Sequence, residues 1–182
     1  MATPTTLPAT FTAGQVLTAA QMNDLRGAFR VLQVVNTTKT DTYTHSTGIT
    51  FSNITGLSAS ITPSSTSSKV LIYVSLNASG NNGMSLVKVT GGNAASWVGD
   101  TAGNRTRVAF VGQNNNGVNA QMVSFSNGYL DSPNTTSAIT YQVQIAAADN
   151  TTTTYVNRTV TDTDSAAFAR STSTITVMEI SA

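Results

Sequence analysis

The chain has 182 residues, with nine basic and eight acidic side chains and a formal net charge of +1. Only 9% of the residues are charged, against about 25% in an average protein. The basic residues are spread along the chain, which argues against nucleic-acid binding, because that function needs a concentrated basic stripe. The absence of cysteine excludes disulfides, Cys-based zinc sites and thiol catalysis.

The sequence gives no sign of a membrane or secretory route. No segment approaches the ~20 apolar residues of a membrane span, and MATPTTLPAT lacks the charge and the apolar run of a signal peptide. We therefore expect a product that is made in a cytoplasm and has no membrane partner. The length and the 40% hydrophobic content favour an appendage, 1–30, followed by one folded domain, 31–182.

The N-terminal segment predicts an extended arm and one short α-helix. Prolines in a Thr/Ala-rich context are typical of an arm over residues 1–12. Thr18 and Gln21 match a capping box, and Leu17 and Met22 are spaced as the hydrophobic staple across it. The sequence therefore predicts that a helix begins near residue 19.

An apolar stripe continues along this predicted helix. Met22, Leu25 and Phe29 recur at helical spacing, so the helix is expected to end at residue 29 or 30. A helix of about three turns is not stable alone in water. We therefore expect Leu17, Met22, Leu25 and Phe29 to dock on a partner surface.

From Val31 onward the spacing of apolar residues changes from a repeat of 3.6 residues to a repeat of two residues, which predicts strands. The predicted strands cover 31–36, 40–45, 48–52, 57–62, 70–77, 84–89, 107–113, 121–130, 139–147, 153–157 and 174–180. Turn-rich connectors such as NITG, TPSSTSS and DSPNTTS separate them. About ten short strands without an intervening helix predict an all-β fold, an antiparallel β-sandwich or jelly roll.

The last predicted strand, STITVMEI, is apolar on both faces. Ile175 and Val177 share one face, and Met178 and Ile180 share the other. A strand of this kind suits the axis of an oligomer, so these four residues are the candidate trimer interface. The alternative is a central strand of a monomeric sandwich.

One carboxylate lies within this apolar strand. Glu179 needs a partner there, because a buried charge must be paired or hydrogen-bonded. Arg170 or Arg107 is the expected partner, in a structural ion pair.

The sequence offers little for catalysis. The single histidine, His45, stands between Thr44 and Ser46 and is expected to be exposed. A GxSxG motif is absent, and Asp162 and Asp164 form the only acidic pair, without the glycine and distant glutamate of a calcium loop. We expect no enzymatic activity, no cofactor and no metal.

A sugar-binding site is the remaining candidate. Trp97 is the only tryptophan, and it either stacks on a sugar or fills the core. Asn114, Asn115 and Asn116 offer the paired donors and acceptors that bind saccharide hydroxyls, although asparagines also favour turns.

Several segments resemble a known class of proteins. PATFTAGQVLTAAQMNDL resembles the N-terminal segment of many tailed-phage structural proteins, in which an aromatic residue and then A-G-x-V-L-T-A-A-x-[ML]-N precede a β-rich remainder. ITPSSTSSKVLIYVSLN, YLDSPNTTSAITYQVQ and STSTITVMEI resemble a β domain of phage tail-fibre and other virion proteins, especially of marine and freshwater phages. The resemblance covers nearly the whole chain.

The resemblance implies a homotrimer whose compact β heads are similar to the trimeric C1q and tumour-necrosis-factor heads. The N-terminal segment would tether the trimer to other virion proteins of the tail or capsid. Shaft repeats are absent, which favours a short fibre or a capsid decoration or head-fibre protein over a long fibre. Of these we expect a short fibre whose head attaches to the host surface, with a host-surface glycan as the candidate receptor. The alternatives are a capsid decoration, cement or head-fibre protein that stabilises the particle, and a stand-alone carbohydrate-binding module.

Overall fold

The computed structural model describes residues 13–14, 16, 18–19, 31–81, 83–113 and 120–181. These residues form ten β-strands and one short 3₁₀ turn at Ala94–Ser96. The strands are β1 (Val31–Lys39), β2 (Tyr43–His45), β3 (Ser52–Ile61), β4 (Lys69–Gly80), β5 (Met84–Thr90), β6 (Phe110–Gln113), β7 (Val123–Asp131), β8 (Ile139–Ala147), β9 (Thr154–Val156) and β10 (Ser173–Ile180).

The strands form two antiparallel sheets. In the six-stranded sheet, β4 pairs with β7 along one edge and with β10 and then β9 along the other, while β1 pairs with β10 and β2 with β9. The four-stranded sheet has the order β3-β8-β5-β6. The predicted all-β, antiparallel class is confirmed.

One hydrophobic core lies between the two sheets. Alternate side chains of β4 and β8 are buried in it, because successive residues of a strand point to opposite faces. The buried residues of these two strands include Val70, Ile72, Val74, Leu76, Tyr141, Val143 and Ile145. The strand that the period of two predicts over 139–147 is therefore confirmed.

The predicted strand boundaries are wrong around NITG. The sequence predicts strands at 48–52 and 57–62 with a turn between them, but the structure has one strand, β3, with a register irregularity in its middle. Gln142 Nε2 donates to Ile54 O and Leu57 O at 3.0 and 3.2 Å. The amide thus satisfies carbonyls that leave the ladder, and pairing with β8 resumes beyond them.

The predicted arm over 1–12 and most of the predicted helix lie outside the described residues, although Ala19 is helical. β1 begins at Val31. Within the part of the chain that the structure describes, no helix is long and apolar enough to cross a membrane.

Candidate functional site

The outer face of the six-stranded sheet carries a continuous row of apolar side chains across four strands. Val34 of β1 lies opposite Met178 of β10, Met178 opposite Leu71 of β4, and Leu71 opposite Leu130 of β7. Directly opposed residues of antiparallel strands project from the same face, and we call these four the apolar row. Val34 is 56% exposed and Leu130 53% exposed, while Met178 and Leu71 are half-buried.

Apolar surface continues on both sides of the apolar row. Val31, which is 52% exposed, lies opposite Ile180, and the exposed Tyr73 lies two residues beyond Leu71 on β4. The hydroxyl of Tyr73 donates to Ser126 Oγ at 3.1 Å, so its ring is held on this face. The result is a patch of aliphatic and aromatic side chains that a partner surface can cover.

The two faces of β10 are filled differently. Ile175 and Val177 point inward and are fully buried in the core of this chain, whereas Met178 and Ile180 are half-buried on the outer face. The core of the chain accounts for the apolar character of Ile175 and Val177, which have no exposed surface to offer a partner. The predicted trimer contact of β10 therefore reduces to Met178 and Ile180, and it stays a prediction.

Glu179 points inward and is bound by neutral donors. It accepts hydrogen bonds from Gln33 Nε2, from the Ser64 backbone N–H and from the Ser64 hydroxyl, each at 2.7 Å. Burial raises the pKa of Glu179, but the hydrogen bonds from Gln33, Ser64 and Ser68 outweigh it and lower the pKa from 4.5 to about 2. Glu179 is thus held as a carboxylate within the six-stranded sheet.

The expected arginine partners of Glu179 are wrong. Arg107 Nε donates instead to Gly99 O at 2.6 Å, and Arg170 pairs with Asp162 at 2.7 Å. Arg158 lies 3.4 Å from the same carboxylate, so Asp162 contacts two guanidinium groups.

Across 31–81, 83–113 and 120–181, no group of three or more His, Cys, Asp or Glu side chains is placed to hold a metal ion.

Trp97 belongs to an aromatic cluster at the edge of the core. It is only 9% exposed, its ring stacks on Tyr129 at 5.3 Å between centroids, and Phe110 packs against it at 5.7 Å. The structure therefore places Trp97 among the core-filling residues, which was the alternative to sugar stacking. Asn114, Asn115 and Asn116 lie outside the described residues.

His45 is buried, so its predicted exposure is wrong. Pairing of β2 with β9 turns the side chain inward, where Nε2 lies 2.9 Å from Gly48 O. His45 Nδ1 and the opposite Thr154 Oγ1 are buried without a hydrogen-bond partner among the described residues. A short polar sequence with one histidine does not reveal the neighbouring strand that covers it.

Asp131, the last residue of β7, is a buried carboxylate. It accepts hydrogen bonds from the Tyr141 hydroxyl at 2.6 Å, the Asn93 backbone N–H at 3.1 Å and the Ser132 backbone N–H at 2.8 Å. Burial and the bond to Asp131 raise the pKa of Tyr141. The available signal was Tyr141 itself, because a tyrosine at a core position needs a partner for its hydroxyl.

Comparisons with known proteins add no family. No protein-family model matches this chain. No curated protein matches it either.

Proposed function

We propose that this chain is a non-enzymatic structural protein of a phage virion, a short homotrimeric fibre that attaches the particle to the host surface. Residues 1–30 hold the fibre to the particle, and the β domain is displayed outward. The observation that carries the proposal is the apolar row on the outer face of the six-stranded sheet. Exposed apolar patches of this kind mark interaction sites.

The strand pairing supports a jelly-roll form of the two-layer fold. β1 pairs with β10, β3 with β8, β4 with β7, and β5 with β6. The long strands therefore pair from the two ends of the chain towards its middle, as a folded-over hairpin does. Two nested Greek keys of this type form the jelly rolls of viral capsid and lectin domains.

The chemistry of the row supports contact between copies of the chain. The four side chains of the apolar row are uncharged, and the nearby Tyr73 is aromatic. Cores of protein interfaces are depleted of charge and enriched in tyrosine and methionine. Rotational symmetry brings the same face of each copy to one axis, where the three apolar rows cover one another.

The trimer is tested by mass measurement in solution. We expect the full chain to have about three times the monomer mass of 18.9 kDa. Leu130→Asp should give a folded monomer, because it places a charge in the apolar row. The matched control is Ser60→Asp on the exposed face of the other sheet, which should remain trimeric. A parent chain that stays monomeric at all concentrations contradicts the trimer.

The anchor is tested on particles. Met22 and Leu25 belong to the apolar stripe of the predicted helix, so Met22→Asp combined with Leu25→Asp should abolish incorporation and leave the β domain folded. Mutant protein still present on purified virions contradicts the anchor.

The role on the particle is tested by host binding. Purified full chain should label host cells and block phage adsorption. If it does neither but is located on the capsid, it is a decoration, cement or head-fibre protein that stabilises the particle. Binding to glycans by a chain that is absent from virions would identify the stand-alone carbohydrate-binding module.

A further inference from the structure

The outer face of the four-stranded sheet is polar over β3, β8 and the Lys88 end of β5, and we call this part the polar face. Met84, Leu86 and Val111 give the other end of the same face apolar side chains. Ser60 lies opposite Thr140, and their hydroxyls are 2.7 Å apart. Lys88 of β5 lies opposite Gln144 of β8. Gln144 Nε2 donates in turn to Asn53 Oδ1 at 2.8 Å. The face therefore presents hydroxyl, amide and ammonium groups.

An open cleft of about 420 Å³ lies at one side of this polar face. Ligand sites are commonly of about 300–1,000 Å³. We call this cleft the basic cleft. Its lining includes Lys88, Thr90, Arg107 and Gln144 beside the apolar Ala95 and Val98.

Both cations of the basic cleft stand outside the ion pairs of the described residues, which involve Lys39, Arg158 and Arg170. Lys88 Nζ lies 4.1 Å from the centroid of the Phe51 ring, which positions the ammonium group without neutralising it. Arg107 is fixed through Nε. A guanidinium has five N–H donors, and within the described part of the chain most of those of Arg107 are left for a ligand.

The groups of the basic cleft fit a ligand that carries an anion beside hydroxyls. Arg107 suits a carboxylate, because its donors match the two carboxylate oxygens. Since Gln144 donates through Nε2 to Asn53, its Oε1 can accept from a hydroxyl. Thr90 adds a hydroxyl, and Val98 adds apolar surface for the carbon face of a sugar ring.

We propose that the basic cleft binds an acidic sugar, a hexuronate residue of a host-surface polysaccharide. This site rests on the proposed attachment function and names the class of its receptor. The two cations of the basic cleft are sufficient to bind the single carboxylate of a hexuronate. They do not form the extended basic stripe that a nucleic-acid backbone needs.

Ligand titration of the full chain tests the class of ligand. Glucuronate should bind, and glucose should bind at least about tenfold more weakly, because it lacks the carboxylate that Arg107 recognises. Inorganic phosphate should also bind more weakly than glucuronate, because it lacks the sugar hydroxyls. Equal binding of glucose and glucuronate, no binding of glucuronate, or phosphate binding as tight as glucuronate binding overturns the proposal.

Matched arginine variants test the location. Arg107→Gln should weaken glucuronate binding at least about tenfold. Arg105→Gln removes the same charge from an arginine that lines neighbouring clefts, and it should leave binding unchanged. Equal effects of the two variants overturn the assignment to the basic cleft.

Cell binding separates this site from the proposed function. If Arg107→Gln and the parent chain label host cells equally strongly, the result supports the attachment function and contradicts the acidic-sugar site. If glucuronate binds at Arg107 but the chain never labels host cells, the result supports the acidic-sugar site and contradicts the attachment function.

Discussion

At the residue scale, a nearly fully buried carboxylate must find donors, and Glu179 finds them on two other segments of the chain. Gln33 belongs to β1, while Ser64 lies in the connection between β3 and β4. A sequence pattern reveals that Glu179 needs a partner, because it interrupts an apolar strand. It does not reveal which distant residues supply the donors, and the arginines were the wrong choice.

The Glu179 site makes stability depend on acid pH. Because the folded-state pKa of about 2 lies below 4.5, the carboxylate stabilises the fold above pH 4.5, and this contribution is lost as the pH falls from 4.5 to about 2. After solvent screening the contribution is about 1–2 kcal/mol. Glu179→Gln should lack this contribution at pH 7. Its unfolding free energy, measured with urea, should therefore fall less than that of the parent chain as the pH drops from 4.5 to about 2. Asp164→Asn, at an exposed site, is the control, and an equal fall in Glu179→Gln contradicts the prediction.

Gly92 packs against the buried Asp131 network, and its substitution should be costly. Its φ is +50°, and an added Cβ would meet Asp131 Oδ2 and, at 2.8 Å, the Tyr141 hydroxyl. Gly103 has a similar φ of +58° with nothing within 4 Å of an added Cβ. Gly103→Ala should therefore cost about 1–2 kcal/mol of unfolding free energy from backbone strain alone.

The clash at Gly92 adds to that backbone strain. Gly92→Ala should cost about 2 kcal/mol more than Gly103→Ala, because it disturbs a buried hydrogen-bonded carboxylate. Urea unfolding of the two variants measures the difference. Equal losses would mean that the Asp131 network does not hold this loop.

At the element scale, buried inward residues and half-buried outward residues alternate strictly along β10. Ile175 is fully buried, and Thr174 beside it points to the outer face. Ile175→Ala should cost about 2–5 kcal/mol of unfolding free energy, and Thr174→Ala about 0.5–1 kcal/mol. Chemical unfolding measures both, and similar losses would indicate a different register for β10.

The periodicity of single strands could be predicted from the sequence, but their partners could not. The alternation in β8 identifies its inner face, because period two is a local property. The continuity of β3 depends on Gln142, which is distant in sequence. The interior position of Trp97 likewise depends on Tyr129 and Phe110. Such long-range contacts leave no signal in a local window.

At the scale of the whole molecule, the outer face of the six-stranded sheet carries the apolar row across four of its strands. The outer face of the four-stranded sheet carries the polar face on β3, β8 and β5, and its apolar side chains Met84, Leu86 and Val111 are confined to the β5–β6 end. Both inner faces enclose the same core. A shared core does not require an exposed apolar row on one sheet, and the proposed contact between copies of the chain would cover it.

Cysteine labelling tests this division directly, because the chain has no cysteine of its own. Leu130→Cys places a thiol in the apolar row, and Ser60→Cys places one on the polar face. In the proposed trimer, a maleimide should react slowly with the first thiol and rapidly with the second, because the proposed contact covers the apolar row and leaves Ser60 exposed. Dilution below the dissociation constant should bring the two rates together, because subunit association depends on concentration. Equal rates at every concentration would show that the apolar row faces solvent.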